Sequence, residues 1–207
     1  MSQLDSPPTS GQPETCRKTG RKGPVFAIGL NKTATTSLHH ALIELGYKSC
    51  HWQSDEFSEA TRQLIESGAP LPFDAYTNVA SIVAHYEQLD HRFPSAVFIL
   101  TVRDLDEWLA SRTRHVTVNR ASNTTGSRIK PPHTWTDIDP AAWRTERILH
   151  HEAVFNYFKD RPDKLLVLDI PGGDGWPSLC LFLGCDEPSI PFPSIDPLMR
   201  VLPSIRC

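Results

Sequence analysis

The densest set of chemistry-bearing side chains is the run Gly29-Leu30-Asn31-Lys32-Thr33-Ala34-Thr35-Thr36-Ser37. Lys32 supplies a full positive charge, and the hydroxyls of Thr33, Thr35, Thr36 and Ser37 supply neutral donors. An apolar stretch precedes the run and a helical period follows it, so it falls where a strand turns into a helix. Free N–H groups point outward at such a place, and the helix dipole favours negative charge there, which makes it a phosphate cradle. A helix start rich in Thr and Ser that does nothing but cap is the plain alternative. The order of residues is not that of a nucleoside-triphosphate loop, which needs Gly-x-x-x-x-Gly-Lys-Ser/Thr. Here Lys32 comes early, and Ala34 stands before the threonine pair.

A second anion-binding pair lies downstream. The apolar run 96–102 ends in Arg103, and Ser111 follows eight residues later along a helical stretch. A guanidinium at a strand end can grip phosphate with two parallel N–H groups, and a hydroxyl from the next helix can add a third contact without a metal. Taken alone, Arg103 is equally a surface ion-pair partner. Proton transfer needs a base, and His51 at the end of an apolar stretch is one candidate, since its ordinary pKa near 6.5 suits the task. Its alternative is a strand-end histidine held by hydrogen bonds. Asp74 is the second candidate base, or else a capping residue. His39 with His40, and His150 with His151, are adjacent pairs that face different ways on a helix and offer no metal spacing such as HExxH. Trp108, Trp143 and Trp176 are candidates to stack on a planar ligand, or else core residues.

The elements that would position these groups alternate. Residues 24–30 form an apolar run of the kind expected for a strand buried on both faces. Leu38, Ala41, Leu42 and Leu45 then recur at helical spacing, closed by Gly46. A short strand around Lys48 to Trp52 and a helix through Phe57, Ala60, Thr61, Leu64 and Ile65, ended by Gly68, repeat the pattern. A strand near Phe73 to Thr77 leads to a helix carrying Val79, Ile82, Val83 and Tyr86. After the strand 96–102, Asp104 and Glu107 resemble a capping box. A last strand, 165–169, precedes a helix opened by Pro177 and closed by Gly184. This rhythm predicts a single α/β domain with a mainly parallel central sheet of about five strands flanked by helices, with ligands beyond the carboxyl ends of the strands. Residues 119–140 are polar and turn-rich and read as a surface loop or lid. The Pro-rich residues 187–207 read as a C-terminal strap, and 1–22 as a disordered leader ahead of a domain spanning 23–207.

Composition narrows the function. The 207 residues carry 21 Lys and Arg against 24 Asp and Glu, a formal charge of -3, so no basic field points to nucleic acid or an anionic membrane. Five cysteines without a CxxC pair suggest neither a disulfide framework nor a structural zinc, and suit a reducing cytoplasm. The first residues lack an apolar core of the signal-peptide type, and no stretch approaches a membrane span.

The run Asn31-Lys32-Thr33-Ala34-Thr35-Thr36 resembles the 5'-phosphosulfate loop of the sulfotransferases that use 3'-phosphoadenosine 5'-phosphosulfate (PAPS), with Asn31 for proline and Ala34 for glycine. Ala34 requires a backbone angle that alanine accepts. Arg103 and Ser111 match the same family's 3'-phosphate pattern. The likeness extends through Gly46-Tyr47-Lys48-Ser49-Cys50-His51, Phe93-Pro94-Ser95-Ala96, Leu165 to Ile170 and Gly173-Asp174-Gly175-Trp176, from Val25 to Phe192 in all, and is similar to a compact, P-loop-like branch found in microbes and some simple eukaryotes. The resemblance implies a PAPS-dependent sulfotransferase releasing PAP, with no metal, acting on a hydroxyl or amine of a small-molecule or glycan acceptor. It implies that Lys32 neutralises the leaving phosphate. Asp74-Ala75-Tyr76-Thr77-Asn78 stands where relatives have an acid at both ends, and here the second is Asn78. A nucleotide or small-molecule kinase and a non-catalytic PAP-binding module are the rival readings, separated by dependence on ATP with magnesium and by binding without turnover.

Overall fold

The computed structural model describes residues 23–52, 54–124 and 137–195. The chain runs β1 (Val25–Ala27), α1 (Thr35–Glu44), β2 (Ser49–His51), α2 (Asp55–Ser67), β3 (Ala75–Thr77), α3 (Ala80–Ala84), α4 (Tyr86–Arg92), β4 (Val97–Thr101), α5 (Leu105–Thr124), α6 (Pro140–Phe158), β5 (Leu165–Leu168) and α7 (Trp176–Leu183). The five strands make one sheet in the order β2-β3-β1-β4-β5, every pair parallel. β1 and β4 are fully buried, as their continuous apolar runs require.

Side-chain alternation divides the core. Val25, Ala27, Val97 and Ile99 face one way and pack with Leu38, Ala41 and Leu42 of α1 and Leu179 and Leu183 of α7. Phe26, Ile28, Phe98 and Leu100 face the other way, onto Ile82, Leu89, Val154 and Phe158. A third cluster, Leu30, Trp108, Val116 and Trp143, caps the carboxyl end of the sheet between α5 and α6. The connection from β1 leaves toward β2 and that from β4 toward β5, so the carboxyl ends of these two neighbours form the switch point where such sheets bind ligands.

Three expectations need correction. The helix read through Val79 and Tyr86 is two helices, broken at His85, where φ falls to -120°. Of the loop expected over 119–140, residues 119–124 belong to α5, and residues 125–136 lie outside the described ones. The sequence reading also passed over α6, which starts at Asp139, whose carboxylate caps Ala142 N–H at 3.0 Å. Its buried residues Trp143, Val154 and Phe158 are interrupted by exposed Ile148, Leu149 and Phe155, which blurs the helical period. The leader 1–22 and the end of the strap, 196–207, also lie outside the described residues.

Candidate active site

The hydroxyl-rich run closes β1 onto α1 through a set of internal braces. At Gly29 a Cβ would stand 2.0 Å from Thr101 Oγ1 and 2.5 Å from the Thr101 carbonyl oxygen, so only glycine lets the chain pass the end of β4. Thr33 is buried and donates its hydroxyl proton to Leu30 O at 2.5 Å. With that proton committed, the 2.7 Å contact between the Thr33 and Thr101 hydroxyls has Thr101 as donor. The Thr33 side chain, expected on the ligand, therefore points into the protein. Trp108 of α5 ties the loop from above, its indole N–H donating to Asn31 O at 2.8 Å.

The backbone is bent for a purpose that packing does not explain. Lys32 and Ala34 both take left-handed conformations, φ 67° and 64°, which cost an L-residue roughly 1–2 kcal/mol each. Backbone strain of this kind collects at ligand sites. Ala34 occupies the N-cap of α1 and offers no side-chain cap, so the first-turn amides of the helix look to a ligand or solvent for acceptors. Ser37 is buried, and its hydroxyl accepts the Ile195 N–H at 3.1 Å, which anchors the strap to α1. Of the hydroxyls singled out in the sequence, two brace the fold, while Thr35 and half-buried Thr36 stay at the start of the helix.

Arg103 leaves the end of β4, with its Nε 3.2 Å from Glu107 Oε2. Glu107 thus serves Arg103 rather than completing a capping box, and Asp104 Oδ1 alone caps α5 by accepting the N–H groups of Asp106 and Glu107, both at 3.0 Å. Those backbone bonds hold the Asp104 carboxyl below its ordinary pKa. Trp108, Ser111 and His115 recur at i, i+3 and i+7 and share one face of α5. Because Trp108 is bonded to Asn31, that face of α5 is turned toward the loop, and Ser111 on it is buried. His115 was not singled out in the sequence. Burial, aided by the charge of Lys32, pushes its pKa down to about 4. Two further contributors come from α6: Arg147 donates to Arg103 O at 2.5 Å, and His150 Nε2 bonds to Ile28 O at 2.7 Å. Both hold backbone at the ends of β4 and β1; Arg147 was not singled out in the sequence, and His150 was weighed there only as a metal ligand.

His51 closes β2 at the same end of the sheet. Its Nδ1 lies 2.8 Å from Thr77 Oγ1 and its Nε2 3.4 Å from Thr36 Oγ1. Burial, with smaller contributions from His39 and His40, pushes its pKa down to about 4. It is neutral at pH 7. Asp74 does not join it. Asp74 precedes β3, its backbone pairs with Lys48 and Val25, and its Oδ2 accepts the Lys48 N–H at 3.1 Å. It therefore sits at the amino end of the sheet, about 10 Å of strand away from the carboxyl end, and its carboxylate secures a turn. At the carboxyl end of β3 stands Asn78, left-handed at φ 54°. The tryptophans are not open stacking platforms: Trp108, Trp143 and Trp176 are 0%, 5% and 6% exposed. Arg112, also buried, lies 5.3 Å from the Trp108 ring and 4.7 Å from the Trp143 ring and pairs with Glu146 at 2.8 Å.

The hydroxyl-rich loop and the end of β4 that bears Arg103 thus lie side by side at the switch point. A sulfotransferase domain model matches residues 24–197, most of the chain and nearly all of the described part. The chain belongs to the sulfotransferase family. Among curated proteins none matches the sequence significantly. Membership in this sulfotransferase family accounts for sulfuryl transfer as the reaction class and for the single α/β domain built on an all-parallel five-stranded sheet. Among the described residues no helix is long and apolar enough to cross a membrane, and no three His, Cys, Asp or Glu side chains are grouped to hold a metal ion.

Proposed function

We propose that this sulfotransferase takes its sulfuryl group from PAPS and passes it to a hydroxyl or amine of a small-molecule or glycan acceptor in the cytoplasm. One observation supports this reading above the others: the loop with Lys32 after β1, Arg103 at the end of β4 and His51 at the end of β2 all lie at the carboxyl edge of one parallel sheet, with Ser111 on the helix that follows β4. The residues suit the donor. Left-handed Lys32 and Ala34 and the uncapped start of α1 present amides to a 5'-phosphate, joined by Thr35 and Thr36. Arg103 and Ser111 suit a 3'-phosphate. PAPS supplies the transferable sulfuryl group. Lys32 neutralises the charge that grows on the leaving phosphate oxygen, the electrostatic contribution that is commonly largest in such reactions. His51 Nε2 takes the proton that the acceptor loses.

The test is thermal stability with PAP, with ATP plus magnesium and with neither, in the wild type and in Lys32→Ala and Arg103→Ala. PAP at one hundred times its Kd adds about 2.7 kcal/mol, a rise in Tm of roughly 5–10 °C for a domain of this size. Loss of that rise in Arg103→Ala supports the clamp, and stabilisation by ATP with magnesium alone would replace it with the kinase reading. Asn78, at a strand end where it can offer no base, favours a second reading as a PAP-binding module without turnover. Release of PAP from PAPS, followed with a panel of phenols, sugars and amines, separates the two.

A further inference from the structure

Thr77 is fully buried in β3, in register with His51 of β2, and both side chains lie under α1. Its hydroxyl owns one proton and has two partners: Cys50 O at 3.1 Å and His51 Nδ1 at 2.8 Å. A carbonyl oxygen can only accept; with the Thr77 proton on Cys50 O, the Thr77 oxygen accepts from the imidazole. Nδ1 of His51 therefore carries the ring's N–H. The second nitrogen is left with its lone pair aimed at Thr36, the hydroxyl of the phosphate loop, 3.4 Å away. Thr36 also owns one proton, and both His51 Nε2 and a phosphate oxygen can only accept it.

We infer that Thr77 is the positioning residue that fixes His51 in its Nδ1–H tautomer, and that Thr36 holds the opposite lone pair until a donor phosphate claims the Thr36 proton. The inference rests on the proposed role of His51 as base. Free imidazole exchanges between tautomers, and in the wrong one Nε2 carries a proton and cannot take another. The Cys50–Thr77–His51 chain removes that ambiguity before any substrate arrives. Binding of the donor then turns the Thr36 hydroxyl toward phosphate and uncovers Nε2. In the transfer, the acceptor's oxygen or nitrogen forms the new bond to sulfur, its proton passes to Nε2, and the electron pair of the broken sulfur–oxygen bond leaves on the PAP phosphate. The resulting imidazolium keeps its Nδ1–H on Thr77. The base is uncovered only when a donor is present.

The surroundings of His51 agree with a neutral ring. From α1 it meets His39, with ring centres 5.4 Å apart, and His40; beside it on β2 the Cys50 thiol is pushed up to about 11 by burial. The nearest titratable groups thus supply no negative charge at neutral pH to draw a second proton onto the ring. His39 is engaged elsewhere, its Nδ1 2.9 Å from Ser49 Oγ.

The deciding experiment reads the tautomer directly, by long-range proton–nitrogen correlation of the His51 imidazole in the full chain between pH 6 and 8. The wild type and Thr77→Ser should show a protonated Nδ1 and an unprotonated Nε2, and Thr77→Val should show the Nε2–H form. Adding PAP should shift the Nε2 resonance of the wild type, and this shift should vanish in Thr36→Val. Release of PAP from PAPS with water as acceptor should fall at least about tenfold in Thr77→Val, as loss of a general base predicts, and recover in Thr77→Ser, with the Kd for PAP within about twofold in all three. An Nε2–H tautomer in the wild type overturns the inference, and so does a Thr77→Val protein with an unchanged tautomer and rate. If Thr77→Val does not fold, the wild-type spectrum and its response to PAP decide alone. Failure of PAP to bind would overturn the donor assignment and the Thr36 gate while leaving the tautomer result to judge Thr77.

Discussion

Ala34 opens α1 at φ 64° and ψ 30°, a conformation in which a Cβ crowds the following carbonyl oxygen. Replacing it with glycine removes that crowding, worth roughly 1–2 kcal/mol, and returns about 0.4–1 kcal/mol to the freer unfolded chain. Ala34→Gly should therefore stabilise the protein by about 0.5–1 kcal/mol, a Tm increase of about 1–4 °C for a chain of this length. The gain has no counterpart in lost contacts, because Ala34 contributes no side-chain bond to the helix start. Ala34→Val must move the other way, since a β-branched side chain tolerates the left-handed region worse than alanine does. Calorimetry on the two variants beside the wild type, with and without PAP, is the assay. A loss of stability in Ala34→Gly would refute the reasoning, for it would mean that the loop does not hold the left-handed turn on which the phosphate cradle depends.

Two further outcomes follow from contacts away from this turn. Gly29→Ala should destabilise the fold by about 3 kcal/mol or more and abolish PAP binding, because its methyl would collide with Thr101 at 2.0 Å and strand and loop would have to part; chemical denaturation measures the first effect and calorimetric titration the second. Asp90 is 6% exposed and is held by Arg161, by Lys164 at 3.0 Å and by Tyr157 at 3.1 Å. Burial alone would raise its pKa, but the bonds from Arg161 and Lys164 outweigh it, and the carboxyl lies below its ordinary value. The group thus adds stability at neutral pH that is lost as pH falls through its folded pKa, below about 4. Asp90→Asn should cost about 2–3 kcal/mol at pH 7, the lower side for a broken buried pair because Arg161 is 38% exposed. Urea unfolding at pH 7 and near pH 3 should show the difference between variant and wild type shrinking with acid.

The fold was legible where burial leaves a simple trace. Parallel strands covered on both faces need unbroken apolar runs, so β1 and β4 stand out in the sequence, and left-handed Gly68 and Gly184 mark helix ends. α6 was illegible because exposed Ile148, Leu149 and Phe155 mask its buried stripe. With it went Arg147 and the bracing role of His150, whose partners lie 44 and 122 residues away. The site shows the same division. Lys32, Arg103, Ser111 and His51 reach the expected end of the sheet, since a motif tied to a strand end inherits its place from the strand. Asp74 does not, because the sequence marks β3 without marking which end of so short a strand it occupies. Hydroxyls were the least legible of all: nothing in the residue type separates Thr36, which faces the loop, from Thr33 and Ser37, which are spent on Leu30 and Ile195.

The bond between Ser37 and Ile195 spans 158 positions of the chain. During synthesis the phosphate loop emerges early, yet the contact that fastens its helix to the strap exists only after almost everything else has been made. A nascent chain folding from its amino end forms β1, α1 and their neighbours first, and it carries the proposed donor site with one fastening still undone. Trimming the protein just before residue 195 would reproduce that unfinished state in the mature molecule, at a distance in sequence that gives no warning of it.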